Sequence, residues 1–186
     1  LDILTNGSTG SNQLRVYKNQ GDGTFDTTQI EVDGLNGGMQ AGGSTWGDFD
    51  NDGDMDILIA GWDGSNSQFR IYKNKNDGTF DTTPIEVDGV NNGLRYSSVA
   101  WGDHDNDGDL DILVSGYDGA NNQLRIYRNN ANGTIHSTQI EVDGLDGGLR
   151  NCSAVWGDYD NDRDLDILVL GYDGYYQLRI YKNQFE

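Results

Sequence analysis

Residues 48–56 read Asp-Phe-Asp-Asn-Asp-Gly-Asp-Met-Asp, and an apolar segment follows them without a break. The same acidic pattern returns at residues 103–111 and 158–166, so the three copies start 55 positions apart. Trp-Gly-Asp begins at Trp46, Trp101 and Trp156, and Ile-Glu-Val-Asp-Gly begins at Ile30, Ile85 and Ile140. A fixed period of this length is the signature of a repeat architecture. The chain is therefore one unit written about three and a half times.

The acidic segment has the ligand chemistry of a loop that binds a hard cation. Asp at positions 1, 3, 5 and 9 supplies carboxylate oxygens and position 7 can offer a backbone carbonyl, which are ligands that Ca²⁺ prefers. Position 6 is glycine in the first two copies, Gly53 and Gly108, where a sharp turn needs a positive φ. Without metal the crowded carboxylates repel one another, so we expect the metal-free protein to be less stable.

Two other interpretations fit the acidic segment less well. A helix–loop–helix calcium site needs an acidic residue at position 12. This chain has Ile59, Val114 and Val169 there, inside predicted strands. A solvated acidic turn without metal would suit a single copy, but three copies with complete ligand sets favour calcium.

Each unit is predicted to contain four short strands, which are clearest in the third copy. Strand A covers residues 97–101, strand B residues 110–114, strand C residues 123–127 and strand D residues 139–142. Strand B is apolar on both faces, which predicts burial on both sides, whereas C and D alternate as half-buried strands do. The dipeptides Asp22-Gly23, Asp77-Gly78 and Asn132-Gly133 lie between C and D and favour tight hairpin turns.

Four antiparallel strands in every 40–55 residues are typical of a β-propeller blade. A parallel β-helix has a much shorter repeat, and an array of sandwich domains needs roughly 100 residues per unit. The prediction is an all-β chain with about three and a half four-stranded blades, as a single region over residues 1–186. Its units are approximately residues 1–40 (partial), 41–94, 95–149 and 150–186 (partial). Because propellers close with about four to eight blades, we expect the chain to be part of a larger or assembled propeller.

The composition disfavours several classes of partner and of architecture. The formal net charge is −19 at pH 7, which makes nucleic acid and anionic membranes poor partners. A hydrophobic fraction of 34% with 27 glycines among 186 residues fits many short strands joined by turns. The single cysteine, Cys152, allows no intrachain disulfide and is expected to be a small packed residue. No run has the length and apolarity of a signal peptide or a membrane span.

Nothing in the sequence has the pattern of a catalytic site, so we predict a non-enzymatic protein. The two histidines, His104 and His136, lack an evident nucleophile partner, and His104 at loop position 2 is expected to face solvent. Almost every acidic residue is copied in register across the repeats, including Asp63, Asp118 and Asp173, whereas an active site is normally a unique constellation. Such repetition favours a scaffold or multivalent binding.

The turns between strands B and C are the best place for a ligand. Each turn carries an aromatic residue followed by Asp-Gly, and exposed aromatics beside acids suit sugar stacking with hydroxyl hydrogen bonds. The candidate ligand-binding residues are Trp62, Asp63, Tyr117, Asp118, Tyr172 and Asp173. The alternative is that these aromatics pack between neighbouring blades.

Three Asn-X-Ser/Thr sequons are candidate glycosylation sites in a secreted protein. They begin at Asn6, Asn132 and Asn151. Asn132, in a predicted hairpin turn, is the most accessible of the three.

The loop-and-strand unit resembles the FG-GAP/VCBS repeat family. The matching words in the third copy are Val-Ala-Trp-Gly-Asp at 99–103, Asp-Asn-Asp-Gly-Asp-Leu-Asp-Ile-Leu-Val at 105–114 and Arg-Ile-Tyr-Arg-Asn at 125–129. The resemblance covers nearly the whole chain and extends to the propeller repeats of integrin α subunits. It implies an extracellular propeller in which the loop between strands A and B binds Ca²⁺.

Carried over residue by residue, the resemblance implies three metal sites holding two to three Ca²⁺ ions. Side-chain ligands would come from Asp48, Asp50, Asp52 and Asp56, from Asp103, Asp105, Asp107 and Asp111, and from Asp158, Asp160, Asp162 and Asp166. Main-chain oxygens would come from Asp54, Asp109 and Asp164. Arg163 replaces the glycine of the third loop, where a non-Gly residue costs roughly 1–2 kcal/mol and adds a positive charge. We therefore expect the third site to be weaker or empty.

The expected function is that of a calcium-stabilised extracellular or cell-surface module for adhesion or assembly. Its partners would be a protein or glycan at the cell surface, or copies of itself, with neither nucleic acid binding nor insertion into a membrane. Two alternatives stay open, a lectin with sites in the B–C turns and an accessory domain of a secreted enzyme.

Overall fold

The computed structural model describes residues 1–32, 38–87, 93–136, 138–142 and 148–183. These residues form β-strands and turns; none lies in a helix, so no helix able to cross a membrane is found among them. The strands are β1 Ile3–Ser8, β2 Asn12–Tyr17, β3 Ile30–Glu31, β4 Gln40–Gly47, β5 Asp56–Trp62, β6 Ser67–Tyr72, β7 Ile85–Glu86, β8 Arg95–Gly102, β9 Asp111–Tyr117, β10 Asn122–Tyr127, β11 Ile140–Glu141, β12 Arg150–Gly157, β13 Asp166–Tyr172 and β14 Tyr176–Tyr181. The Asp-Gly ends of the three Ile-Glu-Val-Asp-Gly words lie outside the described residues.

The described strands form four antiparallel sheets, which confirms the prediction of an all-β chain built from propeller-type blades. Sheet 1 contains β1–β3, sheet 2 β4–β7, sheet 3 β8–β11 and sheet 4 β12–β14. Strand A is β4, β8 or β12, and strand A of each sheet lies beside its counterpart in the next sheet. Strand D, predicted over four residues, is reduced to the two residues Ile-Glu in each copy.

Apolar side chains are buried between successive sheets. The cluster between sheets 1 and 2 includes Leu14, Val16, Ile57 and Ile59; that between sheets 2 and 3 includes Leu58, Ile71, Ile112 and Val114; that between sheets 3 and 4 includes Leu113, Leu124, Ile167 and Val169. The inner strands B, β5 and β9, therefore send alternate side chains to opposite neighbours. This explains why β5 and β9 are apolar on both faces and buried along nearly their whole length.

The expectation that strand C is half-buried is wrong for sheets 2 and 3. Strands β6 and β10 are buried at five of their six positions, because a neighbouring sheet covers each face. Polar side chains of the alternating pattern pair with side chains of an adjacent strand. Arg70 Nε, for example, donates to Glu86 Oε1 of the adjacent strand D at 2.7 Å.

The tryptophans of the second and third Trp-Gly-Asp words, Trp101 and Trp156, pack on the glycine of the preceding sheet. A Cβ atom on Gly47 would lie 2.4 Å from the Trp101 ring, and one on Gly102 would lie 2.5 Å from the Trp156 ring. Only glycine permits this approach of ring to backbone. The repeated tripeptide is therefore a sheet-to-sheet joint that places one acidic loop beside the next.

Each strand A starts with a β-bulge. The register shifts between Gln40 and Gly43 in β4, and the same shift occurs in β8 and β12. Inside the bulges Ala41, Tyr96 and Asn151 have φ values of 51°, 54° and 47°. A bulge re-aims a side chain at the end of a strand, and here it places Arg95 and Arg150 beside the aromatic ends of strands B.

Candidate metal centres

The carboxylate at position 1 of each acidic loop folds the loop around itself. In the first loop the backbone N–H groups of Asp52 and Gly53 donate to the two oxygens of Asp48, at 3.0 Å each. The second and third loops repeat both bonds at 3.0–3.1 Å. Asx-type bonds of this kind favour a tight turn, so the loop is preorganised by its own residues.

The carboxylate at position 9 is buried and ties the loop to strand C. Asp56 Oδ2 accepts the backbone N–H of Phe49 at 3.0 Å, and Asp56 Oδ1 accepts that of Asn74 at 2.8 Å. Asp111 and Asp166 occupy the same position in the other loops, and all three are almost fully buried. Burial raises the pKa of Asp56 to about 6, against the two backbone hydrogen bonds that lower it. Repulsion from neighbouring loop carboxylates adds to the rise.

The carboxylate at position 3 has the oxygen that best fits a cation. Asp50 Oδ1 and Asp105 Oδ1 are buried and have no hydrogen-bond partner among the described residues. An orphaned buried acceptor normally costs about 1–3 kcal/mol, a cost that a bound cation would remove. Burial, followed by repulsion from Asp111 and Asp107, raises the pKa of Asp105.

Each loop brings several carboxylates close enough to share one ion. Ligand atoms within 4.8 Å of one another come from Asp48, Asp50 and Asp56 in the first loop, from Asp103, Asp105 and Asp107 in the second, and from Asp158, Asp160 and Asp166 in the third. His104, Asp105 and Asp111 form a further such group in the second loop. The predicted side-chain ligands are thus brought together in all three loops, although Asp52 and Asp162 stand outside these groups.

A cation just after strand C faces each loop. Lys73 pairs with Asp50, Arg128 pairs with Asp105 at 3.5 Å, and Lys182 pairs with Asp160. Lys182 also lies 3.1 Å from Asp162. The hydrogen bond that Lys73 donates to Asp50 is the main cause of its raised pKa. These ion pairs offset part of the carboxylate repulsion in the absence of metal.

Neighbouring loops are joined side by side. Asn51 Nδ2 donates to Asp109 Oδ1 of the next loop at 2.7 Å, and Asn106 Nδ2 donates to Asp164 Oδ1 at 2.9 Å. Position 7 was predicted to contribute a main-chain oxygen, and in Asp109 and Asp164 the side chain is engaged by the preceding loop. The asparagines suit this role because they tolerate the left-handed φ of position 4, which is 57° at Asn51.

The expectation that His104 faces solvent is wrong. His104 is only 4% exposed, its Nδ1 lies 2.8 Å from Asp111 Oδ2, and its ring lies 6.3 Å from that of Trp156. Position 2 of the first loop is Phe49, which is fully buried against Trp101 at 5.9 Å. The apolar Phe49 is the sequence signal that this position is packed, and its burial comes from the tryptophan of the neighbouring sheet.

The third loop differs from the other two in the residue at position 6 and in the exposure of its carboxylates. Arg163 adopts φ = 81°, close to the 93° and 94° of Gly53 and Gly108, so a bulky side chain occupies a left-handed position. Asp158 and Asp160 are exposed, whereas Asp48 and Asp50 are half-buried. This loop has the same ligand set in a more solvated and more positively charged setting.

The aromatic residues of the B–C turns lie at the opposite end of the strands from the acidic loops. Arg95 stands 5.2 Å from the Trp62 ring and 5.3 Å from the Tyr117 ring, and Arg150 stands 5.3 Å from Tyr117 and 5.7 Å from Tyr172. The result is an alternating aromatic–arginine row that crosses three sheets. Cation–π contacts of this kind contribute about 0.5–1 kcal/mol each at exposed sites.

The three aspartates of these turns form hydrogen bonds and ion pairs with residues of the same turn and the strand that follows it, and so stabilise the turn. Asp63 accepts the backbone N–H groups of Ser65 and Asn66 and the side chain of Gln68. Asp118 makes the corresponding bonds to residues 120, 121 and 123. Asp173 accepts Gln177 and pairs with Arg179. Desolvation is the largest single effect on each of the three carboxyl groups, and it raises the pKa. The hydrogen bonds together outweigh it, so the pKa of each group is lowered.

The sequon asparagines differ in their surroundings. Asn6 Oδ1 accepts the backbone N–H of Met39 at 2.7 Å and so joins sheets 1 and 2. Asn132 and Asn151 are exposed. Cys152 is partly buried, with Sγ 3.3 Å from the Ser115 carbonyl, and burial raises its pKa.

Comparison with known families agrees with this geometry. The family model described as FG-GAP-like repeat matches three overlapping stretches, residues 1–59, 48–114 and 113–169. Each stretch contains all or part of a strand B, and together they include all three acidic loops. No curated protein matches the chain. A repeated loop-and-strand unit, four antiparallel sheets and a family match over most of its length show that the chain belongs to the FG-GAP-like repeat family.

Proposed function

We propose that this chain is a calcium-stabilised, non-enzymatic β-propeller module of an extracellular or cell-surface protein, acting in adhesion or assembly. The observation that carries the proposal is the buried, unpartnered oxygen of Asp50 and of Asp105 inside a preordered carboxylate loop. Carboxylate and carbonyl oxygens are the ligands of hard cations such as Ca²⁺. Bound ions would supply positive charge and rigidity at the corner between strands A and B.

We expect two to three bound ions, because the three loops differ in the residue at position 6 and in the burial of their carboxylates. The first and second loops have glycine at position 6 and half-buried carboxylates at positions 1 and 3. The third has Arg163 and an exposed cluster, so it would bind more weakly. Three ions would neutralise six of the charges that contribute to the net −19, which reduces repulsion among the loops.

A scaffold or binding role is supported by the repetition of the polar features. The loop carboxylates and the B–C turn aspartates make the same contacts in successive sheets. Such groups hold backbone in place. A surface that repeats from blade to blade suits a protein or glycan partner, or copies of the chain itself.

A lectin is a second candidate because of one exposed aromatic pair. Tyr175, in the turn before β14, and Tyr176, the first residue of β14, are 80% and 87% exposed, and the Tyr176 ring lies 5.4 Å from that of Tyr172. Exposed tyrosines with a polar tip suit stacking on a sugar ring. Binding on a glycan array, lost on Tyr176→Ala and retained in Phe25→Ala, would favour the lectin over a protein partner.

Calorimetric titration with Ca²⁺ tests the proposal directly. After exhaustive chelation the protein should bind two to three Ca²⁺ ions and melt at a higher temperature when they are present. Asp50→Asn and Asp105→Asn should each remove one binding event, whereas Asp77→Asn, in an exposed hairpin turn, should remove none. Absence of heat and an unchanged melting temperature on adding Ca²⁺ would contradict the calcium claim.

A further inference from the structure

The outer face of sheet 4 is an apolar surface that no described residue covers. We call it the tail face; it consists of Val155, Leu168, Leu170, Leu178 and Ile180. Its side chains are 39–66% exposed. The residues equivalent to Leu168, Leu178 and Ile180 in sheet 3 are Leu113, Leu124 and Ile126, which are 0–6% exposed because sheet 4 covers them. A contiguous apolar patch of this kind marks an interaction site.

The loop end of sheet 4 also lacks the contacts that its counterparts have. A Cβ atom added to Gly157 would have no described atom within 4 Å, whereas Gly47 and Gly102 each lie under a tryptophan ring. Tyr159 at loop position 2 is 59% exposed, whereas Phe49 and His104 at the same position are buried. Sheet 4 therefore presents, without a described strand D, one half of a joint that the chain forms three times internally.

The outward face of sheet 1 presents the other half. We call it the head face; it consists of Ile3, Thr5 and Tyr17, with Asn19 at its loop end. Their equivalents in sheet 3 are Ile112, Val114 and Tyr127, which pack on sheet 2. Ile3 is 41% exposed, and Thr5 is exposed as well.

Asn19 offers a specific polar contact for the same joint. Its equivalents reach back to position 2 of the preceding loop: Asn129 Nδ2 donates to the Phe49 carbonyl at 2.8 Å, and Asn183 Nδ2 donates to the His104 carbonyl at 3.0 Å. The corresponding acceptor on sheet 4 is the carbonyl of Tyr159. Asn19 of another copy is positioned along its sheet to donate to that carbonyl.

We propose that the tail face of one chain binds the head face of a second copy. The proposal rests on the assembly role proposed above and names its partner and its surface. A head-to-tail contact is heterologous and forms a ring when the rotation closes. Two copies would bring eight described sheets together, within the four to eight blades with which propellers close.

Calcium should control this association because both partners are strongly acidic. Each chain carries a net charge of −19, and like charges oppose association. Metal bound in the loops neutralises charge on the side of the sheets where Asn19 and Tyr159 would meet. The ring should therefore form with Ca²⁺ and dissociate on chelation.

Sedimentation velocity in Ca²⁺ over a wide concentration range tests the proposal. The wild-type chain should give a species of twice the 20.5 kDa of one chain. Leu178→Asp on the tail face and Ile3→Asp on the head face should each weaken association about tenfold or more, because each buries an unpaired charge. Tyr175→Asp, an equally charged change at an exposed turn outside both faces, should leave the dimer intact.

Mixing the two blocked variants distinguishes a head-to-tail joint from a symmetric one. At concentrations where Leu178→Asp alone and Ile3→Asp alone sediment as monomers, their mixture keeps one intact tail and one intact head and should form a one-to-one pair. Gly157→Ala should leave association unchanged, since sheet 1 has no described strand A to bring a tryptophan there. A monomer at every concentration, or a dimer that survives Leu178→Asp, would overturn the proposal. Calcium titration of the same samples reports separately on the proposed metal function.

Discussion

The sixth position of the acidic loop shows how one backbone angle decides which residue is tolerated. Gly53 and Gly108 adopt φ values of 93° and 94°, and Arg163 is held at 81° in the third loop. The left-handed region costs an L-residue roughly 1–2 kcal/mol relative to its preferred conformations. The third loop accepts this cost and adds a positively charged residue to the loop whose carboxylates would hold a cation.

Arg163→Gly should therefore stabilise the third loop and strengthen its metal binding. Relief of the left-handed strain is partly offset by the greater chain entropy of glycine in the unfolded state, so we expect a net gain of about 0.5–1 kcal/mol. Thermal unfolding with and without Ca²⁺, together with a calcium titration, measures both effects. Gly53→Arg is the matched reverse change and should cost a similar amount in the first loop. Equal calcium affinity in wild type and Arg163→Gly would show that the residue at position 6 is irrelevant to binding.

Asp56 should make the metal-free protein less stable as the pH rises from 4 to 7. Its pKa is raised from 3.8 to about 6, first by burial and then by repulsion from Asp50 and Asp52. The folded state then holds this proton more tightly than the unfolded chain does. The stabilising contribution is therefore complete below the unfolded pKa and is lost as the pH passes through about 6.

Melting temperatures of the chelated, dialysed protein at constant ionic strength would reveal this slope. Asp63 and Asp118 have lowered pKa values, so their stabilising contribution is present above the unfolded pKa and is lost only at lower pH, outside this window. Saturating Ca²⁺ should reverse the slope, because a cation favours the ionised carboxylate. A metal-free melting temperature that rises between pH 4 and 7 would contradict the assignment to Asp56.

At the scale of the elements, the joint between sheets depends on a glycine under a tryptophan. Gly102→Ala would place a Cβ 2.5 Å from the Trp156 ring, and overpacking of this kind typically costs about 1–3 kcal/mol. Gly157→Ala is the matched control, since nothing lies within 4 Å of its added Cβ, and a surface change of this type stays within about 0.5 kcal/mol. Chemical denaturation of both variants measures the difference. Equal stabilities would refute the ring-on-glycine joint.

Strand order and loop position were predictable from the sequence because they are local. The period of the repeat, the apolar run of strand B and the Asp-Gly turns each lie within a few residues. Strand C and His104 were not assigned correctly, because their burial is produced by the adjacent sheet. Phe49 and His104 occupy equivalent positions in their loops. Their burial can be recognised only when Trp101 and Trp156 of the neighbouring sheets are placed over them.

The same limit applies to the candidate ligand residues. Trp62, Tyr117 and Tyr172 were recognised as repeated aromatics, but the arginines between them come from strand A, more than twenty residues away along the chain. Arg95 and Arg150 reach the aromatics through the bulge at the start of their strands. The Asx bonds of position 1 needed no such partner, so the metal loop was predictable while the row on the opposite side was not.

At the scale of the whole molecule, the carboxylates of the metal loops and the arginines of the aromatic row are concentrated at opposite ends of the sheets. The acidic loops lie at one end, where strand A meets strand B, and the aromatic–arginine row lies at the other. Lateral bonds from Asn51 to Asp109 and from Asn106 to Asp164 join the loops into one acidic rim. Strain or repulsion in one loop therefore acts on its neighbour, and the loops should respond to metal as a group.

Chelation should for this reason lower the stability of the whole fold, and monovalent salt should recover part of the loss. Salt screens exposed charges over about 8–10 Å at physiological ionic strength, and the rim carries most of its carboxylates in exposed or half-buried positions. The melting temperature of the chelated protein should rise with NaCl, while the Ca²⁺-loaded protein should change little. Asn106→Ala, which cuts one lateral bond, should split the cooperative gain from Ca²⁺ into separate steps in a calorimetric titration, whereas Asn130→Ala in an exposed hairpin should leave it unchanged. A chelated protein whose melting temperature is insensitive to salt would mean that repulsion in the rim is already neutralised by Lys73, Arg128 and Lys182, and that metal acts through local geometry alone.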